Sequence, residues 1–433
     1  MTEERRQGRS MDTQAAGCAA VPRGRGPAAG YLELGTAAYR RTGRALFLAG
    51  FCAFSVLYVA QGTLPAIGAD FHVSPAVASL TVSLTTLPLA LGVVLAASIA
   101  ERRGRRGLLV GSLLAAATCT VAAAASPTFG VLLGLRVLTG LSLAALPAVA
   151  MAYVAEEVSG RSLGSAMGLY IGATGFGGMT GRLLGGLLAG WFSWRVSLGV
   201  VGLIALLGGL YVARRLPPSA HFEPQPEGLL RQLRAARVHL ADGVLLRLFG
   251  CGFALMGSMV AYFNYLLYRL EAAPFGLSQS AASTVFVLYA AGTVSANWLG
   301  RLTDRRPRRS VLLLGLGIMS AGLAVSLANV LALVLLGTAM MTFGFFGAHA
   351  VASGWVNSRA RSRRAQASSL YLLFYHVGSS LLGVIGGLVY GAGGWSGLVV
   401  LLALPLTVAV AAALSLPGVV VPRAGAIDTG SEP

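Results

Sequence analysis

The sequence contains no lysine and few acidic residues. All 33 basic side chains are arginine, 15 residues are acidic, and 55% of the 433 residues are hydrophobic. Charged residues make up only 11% of the chain and the mean hydropathy is +0.73, so a soluble domain lacks the polar surface it needs and we expect an integral membrane protein. The net charge of +18 does not indicate nucleic-acid binding, because most arginines lie in short gaps between apolar runs.

Residues for enzymatic chemistry are also scarce. The four cysteines, Cys18, Cys52, Cys119 and Cys251, show neither a disulfide framework nor metal-ligand spacing. No two acids share an apolar segment, and no glycine-rich loop ends in Lys-Ser/Thr. The sequence therefore predicts no enzyme, no metal or other cofactor, and no ATP-driven pump.

Long apolar runs dominate the chain. A transmembrane helix needs about 20 mostly apolar residues. Twelve stretches meet this requirement, which predicts an all-α membrane protein with twelve transmembrane helices. The predicted helices are 45–68, 77–100, 107–125, 129–154, 164–190, 195–213, 243–268, 279–300, 310–327, 329–354, 365–390 and 395–416.

The distribution of arginine predicts the orientation. With both termini inside, the inner gaps and tails hold 28 of the 33 arginines, whereas the outer gaps hold only Arg195 and Arg269. Positively charged loops remain on the cytoplasmic side. We therefore expect both termini in the cytoplasm and a multi-pass protein of the plasma (inner) membrane, in contact with the lipid bilayer.

An internal repeat divides the chain into two halves. The segment 97–106 recurs at 300–309, and Gly134 recurs at Gly337 with the same offset of 203 residues. Such an offset indicates a duplication, and parallel six-helix repeats are typical of one class of secondary transporters. The predicted units are a disordered cytoplasmic tail at 1–43, six-helix bundles at 44–213 and 243–417, a cytoplasmic linker at 214–242 that contains a basic amphipathic helix at 228–240, and a cytoplasmic tail at 418–433.

The repeated segment resembles the signature loop of the major facilitator superfamily. That signature reads Gly, three residues, an acid, a base, any residue, Gly and two bases. The resemblance implies two pseudo-symmetric six-helix bundles and alternating access around a central site. A small residue is expected at the first position because another helix crosses closely there. The matching residues are Glu101, Arg102, Gly104, Arg105 and Arg106 in the first copy, with Ala97 in the leading position, and Gly300, Asp304, Arg305, Arg308 and Arg309 in the second, with Pro307 in place of Gly.

An acid at the same place in both copies is not explained by membrane topology alone. We expect Glu101 to cap the start of the eleventh helix, and Asp304 that of the fifth, in the outward-facing state. Glu156 and Glu157, at the inner end of the fourth helix, are expected to pair with arginines of the loops. These bonds would act as latches that close the inner side and break in each cycle.

Apart from Arg247 near the start of the seventh predicted helix, two arginines fall within predicted helices, where charge is costly. Arg136 and Gly140 in the fourth helix resemble the Arg-x-x-x-Gly pattern of the family, and Arg182 lies in the outer half of the fifth helix. Each arginine either extends to the outer surface or faces a central cavity, where it binds substrate or tunes a proton site.

The fifth helix also carries a stripe of glycines at every third position, which predicts tight contact with the opposite half. It resembles the antiporter signature of drug:proton exchangers in this superfamily, with Phe176 where proline is usual. The glycines are Gly172, Gly175, Gly178 and Gly181.

Titratable groups for proton coupling are few, because no Asp or Glu lies in the core of a predicted helix. His349 and His376 either titrate near physiological pH or serve as hydrogen-bonded packing residues, and Asp70 fits a helix-end acid better than a coupling site. Three polar residues, Tyr58, Gln61 and Asn264, either line the cavity or bond neighbouring helices. The lack of intramembrane acids favours neutral or anionic substrates.

The resemblance implies a bacterial twelve-helix drug:proton antiporter. The first hypothesis is therefore a secondary active transporter that exports small neutral or anionic molecules in exchange for H⁺. The alternatives are uptake or exchange of a small metabolite of the same charge classes, and a non-transporting membrane receptor on the same fold. The loops in both halves argue against the receptor, because a fixed receptor has no need of two latches.

Overall fold

The computed structural model describes residues 30–222, 236–360 and 364–418, and it describes side chains there except at 94–103 and 365. The predicted N-terminal tail up to residue 29, most of the predicted linker helix and the C-terminal tail from residue 419 lie outside the described residues. Within them the chain is helical, with one isolated β-bridge between Leu32 and Val158.

The helices follow one another with short connections. Besides the α-helices there is a 3₁₀ helix at Thr284–Tyr289 and a short helical stretch at 236–241. The α-helices are α1 (Ala37–Gly62), α2 (Leu64–Asp70), α3 (Pro75–Ala78), α4 (Leu80–Arg103), α5 (Arg105–Ala124), α6 (Phe129–Leu143), α7 (Leu146–Glu157), α8 (Leu163–Trp191), α9 (Trp194–Arg215), α10 (Gly243–Glu271), α11 (Gln279–Ser283), α12 (Ala290–Leu302), α13 (Arg308–Val325), α14 (Leu331–Arg359) and α15 (Arg364–Leu414).

These helices confirm the twelve predicted spans. Four spans are interrupted once, namely α1–α2, α3–α4, α6–α7 and α11–α12. The long α15 contains the last two spans, which separate at Gly394. The φ angle there is +59°, a conformation that glycine adopts without the strain that a side chain would cause. In the described part of the chain, nine helical segments are long and apolar enough to cross a membrane, and two of them combine α3 with α4 and α6 with α7. Counting α15 twice and adding α8 and α11–α12 completes the twelve.

Proline explains two of the interruptions. Pro65 lies in the first turn of α2, and Pro147 lies in the first turn of α7. A proline has no N–H to donate and disrupts the turn before it, but the first turn of a new helix tolerates it. Each of these spans therefore consists of two shorter helices.

The first helix begins earlier than predicted. Thr36 caps α1, because its Oγ1 accepts a hydrogen bond from the Tyr39 amide at 3.1 Å. The residues before it also lie against the bundle: Leu32 N donates to Glu157 O at 2.8 Å, and Leu34 N to Ser162 Oγ at 2.9 Å. The helical bundle thus starts at Ala37, seven residues before the predicted boundary at 44.

The two halves, α1–α9 and α10–α15, repeat one packing arrangement. In the first half α8 lies against α1, and a Cβ on Gly177 would overlap the backbone of Phe51. In the second half the start of α15 lies against α10, and a Cβ on Gly378 would overlap the backbone of Phe253. Because glycine is required at both contacts, the backbones approach closely without intervening side chains.

The bundle has two distinct ends. The loops with residues 104–106 and 304–309 define the arginine-rich end, and Asp70 and Trp194 lie at the distal end. Nine hydrogen bonds between the halves lie at or beyond the level of Thr86 and Ser379, towards the distal end. The halves are therefore joined by a hydrogen-bonded contact in the distal part of the bundle.

Candidate functional site

A central cluster joins the two halves where their first helices meet. It consists of Tyr58 and Gln61 on α1, Arg182 on α8, Asn264 on α10 and Tyr289 at the end of the 3₁₀ helix. Gln61 and Asn264 are 203 residues apart, the offset of the repeat, and Gln61 Nε2 donates to Asn264 Oδ1 at 2.7 Å. Equivalent positions of the two halves therefore bond directly to each other, and both side chains are fully buried.

Arg182 is the charged member of the central cluster. Its guanidinium lies 3.6 Å from the ring centre of Tyr58 and 4.6 Å from that of Tyr289. Nε donates to Gln61 Oε1 at 2.5 Å and Nη1 to Gly178 O at 2.7 Å.

The charge of Arg182 is not neutralised within the part of the chain that the structure describes. There, the guanidinium has no carboxylate partner and Nη2 makes no hydrogen bond, although the residue is only 3% exposed. A buried cation without an anion is costly, and aromatic faces compensate only part of that cost. The central cluster is therefore electropositive and retains a free donor.

A histidine cluster lies in the second half and consists of Phe345, His349, Tyr371, Tyr375 and His376. His349 Nδ1 lies 2.9 Å from the Tyr371 hydroxyl. The Tyr375 ring is 4.8 Å from the His349 ring and 5.1 Å from the His376 ring. His376 Nδ1 is buried and has no hydrogen-bond partner among the described residues. One tyrosine ring thus separates the two imidazoles.

Aromatic rings connect the two clusters. Phe346 lies 5.8 Å from Tyr289 of the central cluster and 5.0 Å from Phe345 of the histidine cluster. Phe345 in turn lies 5.9 Å from His349. The two polar clusters are therefore the ends of one aromatic wall, which suits a small molecule with an aromatic or other apolar body.

Arg136 occupies a different environment from Arg182. It is fully buried, and its guanidinium donates to Thr81 O at 3.1 Å, to Leu57 O at 3.0 Å and to Val56 O at 3.3 Å. Gly140, one turn along α6, packs directly on the backbone of Thr85. Together they hold α6 against α1 and α4. Neither Arg136 nor Arg182 extends to the surface, so that alternative is wrong for both.

The glycine stripe of α8 does not make the predicted contact with the opposite half. Gly178 and Gly181 lie against Tyr58 and Ser55 of α1 in their own half, and a Cβ on Gly172 or Gly175 would meet no atom within 4 Å. Periodic spacing identified a glycine-rich face of α8 but not the partner of that face. In the structure, α1 covers one part of the face and the rest lies beside open space.

The contact between the halves uses other glycines. On α8, a Cβ on Gly186 would overlap Ser283 of α11, and on α15 a Cβ on Gly387 would overlap Ala76 of α3. These four residues form the distal seal. The two glycines are 201 residues apart, so the seal is another pseudo-symmetric feature. Nearby, the hydroxyl of Tyr268 donates to Leu64 O at 2.9 Å across the halves.

The loop arginines make matching contacts inside each half. Arg105 pairs with Glu156 at 2.8 Å, as predicted, and its counterpart Arg308 bonds Ser358 at the same end of α14. Arg106 Nε donates to Leu216 O at 2.7 Å, and its counterpart Arg309 donates to Leu416 O at 3.5 Å. Each loop is thereby fastened to the fourth and sixth spans of its own half.

Other predicted loop contacts differ. Glu157 accepts from His221, with 3.0 Å to the backbone N and 3.1 Å to Nδ1, instead of from a loop arginine. Among the described residues, no atom lies within 4 Å of a Cβ on Gly300, so the part of the chain that the structure describes shows no close helix crossing there. Arg305 is exposed. The side chains of Glu101 and Arg102 lie outside the described ones, and the capping roles of Glu101 and Asp304 stay predictions.

The backbone explains one glycine of the loop. Gly104 separates α4 from α5 with φ at +79°, a conformation that L side chains rarely adopt. The glycine at this position of the signature loop is therefore required by the sharp turn between α4 and α5.

Asp70 joins α2 to α9 at the distal end. Its Oδ2 accepts from Arg195 Nη1 at 2.6 Å and from Trp194 Nε1 at 3.0 Å. The hydrogen bond from Arg195, and then that from Trp194, lowers the pKa of Asp70 below its ordinary 3.8. This arrangement agrees with a helix-end acid and not with a coupling site.

We expect Asp70→Asn to lower the melting temperature modestly at pH 7. A carboxyl whose pKa is lowered by folding stabilises the protein above its unfolded pKa, and this contribution disappears as the pH falls through the folded pKa. The difference from the wild type should therefore persist from pH 7 to about 4 and be lost as the pH falls further, through the lowered folded pKa. Differential scanning fluorimetry in detergent measures it, with exposed Glu33→Gln as the control. A difference that is independent of pH would contradict the ion-pair explanation.

Sequence reasoning missed Tyr289, which completes the central cluster. Tyrosines in apolar helices are common, and Tyr289 lies in no recognised motif. Tyr289 stands 203 residues after Thr86, a residue of the polar contact between the halves, since Thr86 Oγ1 lies 2.9 Å from Ser380 Oγ. A search for polar residues at the repeat offset would have found it.

Comparison with known proteins identifies relatives across the chain. A model of the Major Facilitator Superfamily matches residues 46–305 and 248–431. The uncharacterized MFS-type transporter YybF of Bacillus subtilis is 42% identical over 379 residues, which cover 88% of this chain and 94% of YybF. The inner membrane transport protein YnfM of Escherichia coli is 37% identical over 382 residues, which cover 88% and 91%.

More distant proteins also match the chain. A chloramphenicol resistance protein of Pseudomonas aeruginosa is 27% identical over 315 residues, which cover 72% of this chain and 74% of that protein. Among solved structures, a bacterial homologue of the human lysosomal transporter Spinster, in an inward-facing and occupied conformation, superposes with a TM-score of 0.70 at 19% identity, covering 88% and 96% of the two chains.

Proposed function

Since the chain belongs to the major facilitator superfamily and is a membrane transporter, we propose that it exports small neutral or anionic molecules in exchange for protons. The site is the aromatic wall between the central cluster and the histidine cluster. Transport would proceed by alternating access, with the two halves moving about the bond between Gln61 and Asn264.

The observation that carries the proposal is the environment of Arg182. Its buried guanidinium has a free donor and no carboxylate partner among the described residues. An anionic or strongly accepting group of the substrate would supply the missing partner, and the stacked tyrosines would hold the guanidinium in place. A bulky cation is disfavoured because the same charge would repel it.

The direction of transport is proposed from the relatives and from the shape. The chloramphenicol resistance protein among them is named for a drug, which supports export. If the arginine-rich end is cytoplasmic, as the arginine counts predict, the hydrogen-bonded side of the bundle faces outward in this structure. The site would then receive substrate from the cytoplasm, and release would require the distal seal to open.

Proton coupling is proposed for the histidine cluster. His349 and His376 share the Tyr375 ring, and a buried nitrogen of His376 has no hydrogen-bond partner among the described residues. An imidazole can take up and release a proton under physiological conditions. The proposed latches at Glu101 and Asp304 would close the cytoplasmic side in the opposite state of the cycle.

Reconstitution in liposomes that contain a pH-sensitive dye tests this function. Chloramphenicol and a set of small aromatic acids, added under a pH gradient, are expected to move across the membrane and to change the internal pH. His376→Gln should abolish the pH change with at least some substrate movement retained, and exposed His72→Asn should leave both unchanged. Movement of substrate without a pH response in the wild type would overturn proton coupling, and the absence of any movement would overturn export.

A further inference from the structure

A narrow crevice runs between α8 and α9, with α1 as its floor. Near the arginine-rich end it widens into a cavity of about 450 Å³ lined by Arg40, Arg44, Phe47, Leu169 and Tyr211 among others. Further towards the distal end, a smaller cavity of about 30 Å³ continues between the same three helices. We call this the α8–α9 crevice.

The floor of the α8–α9 crevice is apolar over a defined length. The rings of Phe47 and Phe51 lie 6.4 Å apart, and Phe51 lies 5.6 Å from the half-exposed Phe176 on α8. From Arg40 to Phe51 the helix rises roughly 16 Å at 1.5 Å per residue. One leaflet of the hydrocarbon core is about 15 Å thick, so the apolar floor matches the depth of one lipid leaflet.

The rim of the α8–α9 crevice is basic. Arg40 and Arg44 are both exposed and lie one helical turn apart on α1. Arg40 uses one nitrogen to donate to Gly35 O, whereas Arg44 makes no hydrogen bond to any described residue. None of the residues that line the larger cavity is acidic. An apolar floor below two unneutralised guanidinium groups complements a molecule with an anionic head and a hydrocarbon tail.

We propose that the α8–α9 crevice binds an anionic phospholipid, with its phosphate on Arg40 and Arg44 and an acyl chain along Phe47 and Phe51. Free phosphate does not account for the site, because it would make no contact with the apolar floor. The site is separate from the central cluster, and the inference does not depend on what the protein transports.

Lipid binding to the purified full-length protein in detergent tests the proposal. Titration with phosphatidylglycerol, followed by native mass spectrometry and thermal unfolding, is expected to show a bound lipid and a raised melting temperature, whereas phosphatidylcholine is expected to bind more weakly. Each arginine near the lipid phosphates contributes about fivefold, so Arg40→Gln/Arg44→Gln should weaken phosphatidylglycerol binding by about thirtyfold.

Arg41→Gln is the matched control, because Arg41 is exposed on the same turn but does not line the cavity; it should bind like the wild type. The double variant should unfold at the wild-type temperature without lipid, which separates loss of binding from loss of fold. Three results would overturn the proposal: equal binding of the two lipids, an unaffected double variant, or an equal thermal shift with inorganic phosphate alone.

Discussion

Arg182→Gln is expected to reduce transport of anionic substrates by at least a hundredfold and to affect neutral substrates much less. The guanidinium is buried between two tyrosine rings and has no carboxylate partner among the described residues. Hydrogen bonds to charged groups contribute about 1.5–3 kcal/mol each, so the loss of two such bonds to a bound anion corresponds to a factor of ~100 or more. Initial rates in proteoliposomes, compared between an aromatic acid and chloramphenicol, measure the effect.

Two further variants define the role of Arg182. Arg182→Lys keeps the charge but loses the planar fork and the stacking on Tyr58 and Tyr289, and it should have an intermediate activity. Exposed Arg247→Gln on α10 should be neutral and controls for loss of a helix arginine. If neutral and anionic substrates were affected equally, Arg182 would act by organising Gln61 and not by binding an anion.

Gly387→Ala is expected to lower transport several-fold by preventing closure of the distal seal. A methyl group at this position would overlap the backbone of Ala76. Backbone atoms cannot relieve such an overlap by rotation about side-chain bonds, as a flexible side chain can. Overpacking of this kind costs roughly 1–3 kcal/mol. The part of this cost that comes from Ala76 applies only to the state in which the seal is closed, whereas the overlap with the Tyr265 hydroxyl lies within one half. The population would therefore shift about 5- to 150-fold towards the state with an open distal end.

Spin labels on opposite halves report this shift directly. Phe192 and Val330 are exposed at the distal end, and labels there, in a background without the native cysteines, should move apart by several ångströms in Gly387→Ala. Gly391→Ala, one turn further along α15 where no atom lies within 4 Å of a Cβ, should leave distance and rate unchanged. An unchanged label distance in Gly387→Ala would contradict the role of the seal.

The spans were predictable because their signal is local. Twelve apolar stretches were sufficient to place every transmembrane segment, and even the break at Gly394 falls between two predicted helices. The pairing of Arg105 with Glu156 was also predicted, because both lie at the arginine-rich end of the same half. The repeat offset also relates Gln61 to Asn264. These two side chains bond each other, and the sequence analysis did not predict this bond.

Contacts between helices were less predictable. The glycine stripe of α8 was expected to contact the opposite half, but Gly178 and Gly181 lie against α1. Spacing identifies which residues share a face of a helix, whereas the partner of that face depends on helices far away in sequence. For the same reason the sequence left open whether Arg136 and Arg182 play the same role.

By itself, the sequence determined the twelve spans, the duplication and the concentration of arginine at one end. Apolar length and charge determine how each segment lies in the membrane, independently of its contacts with other helices. Only the tertiary structure decided that backbone carbonyls surround Arg136 whereas Arg182 keeps a free donor between two tyrosines. In a low-dielectric interior the function of a charge depends on the atoms within a few ångströms of it, and packing from distant parts of the chain places those atoms.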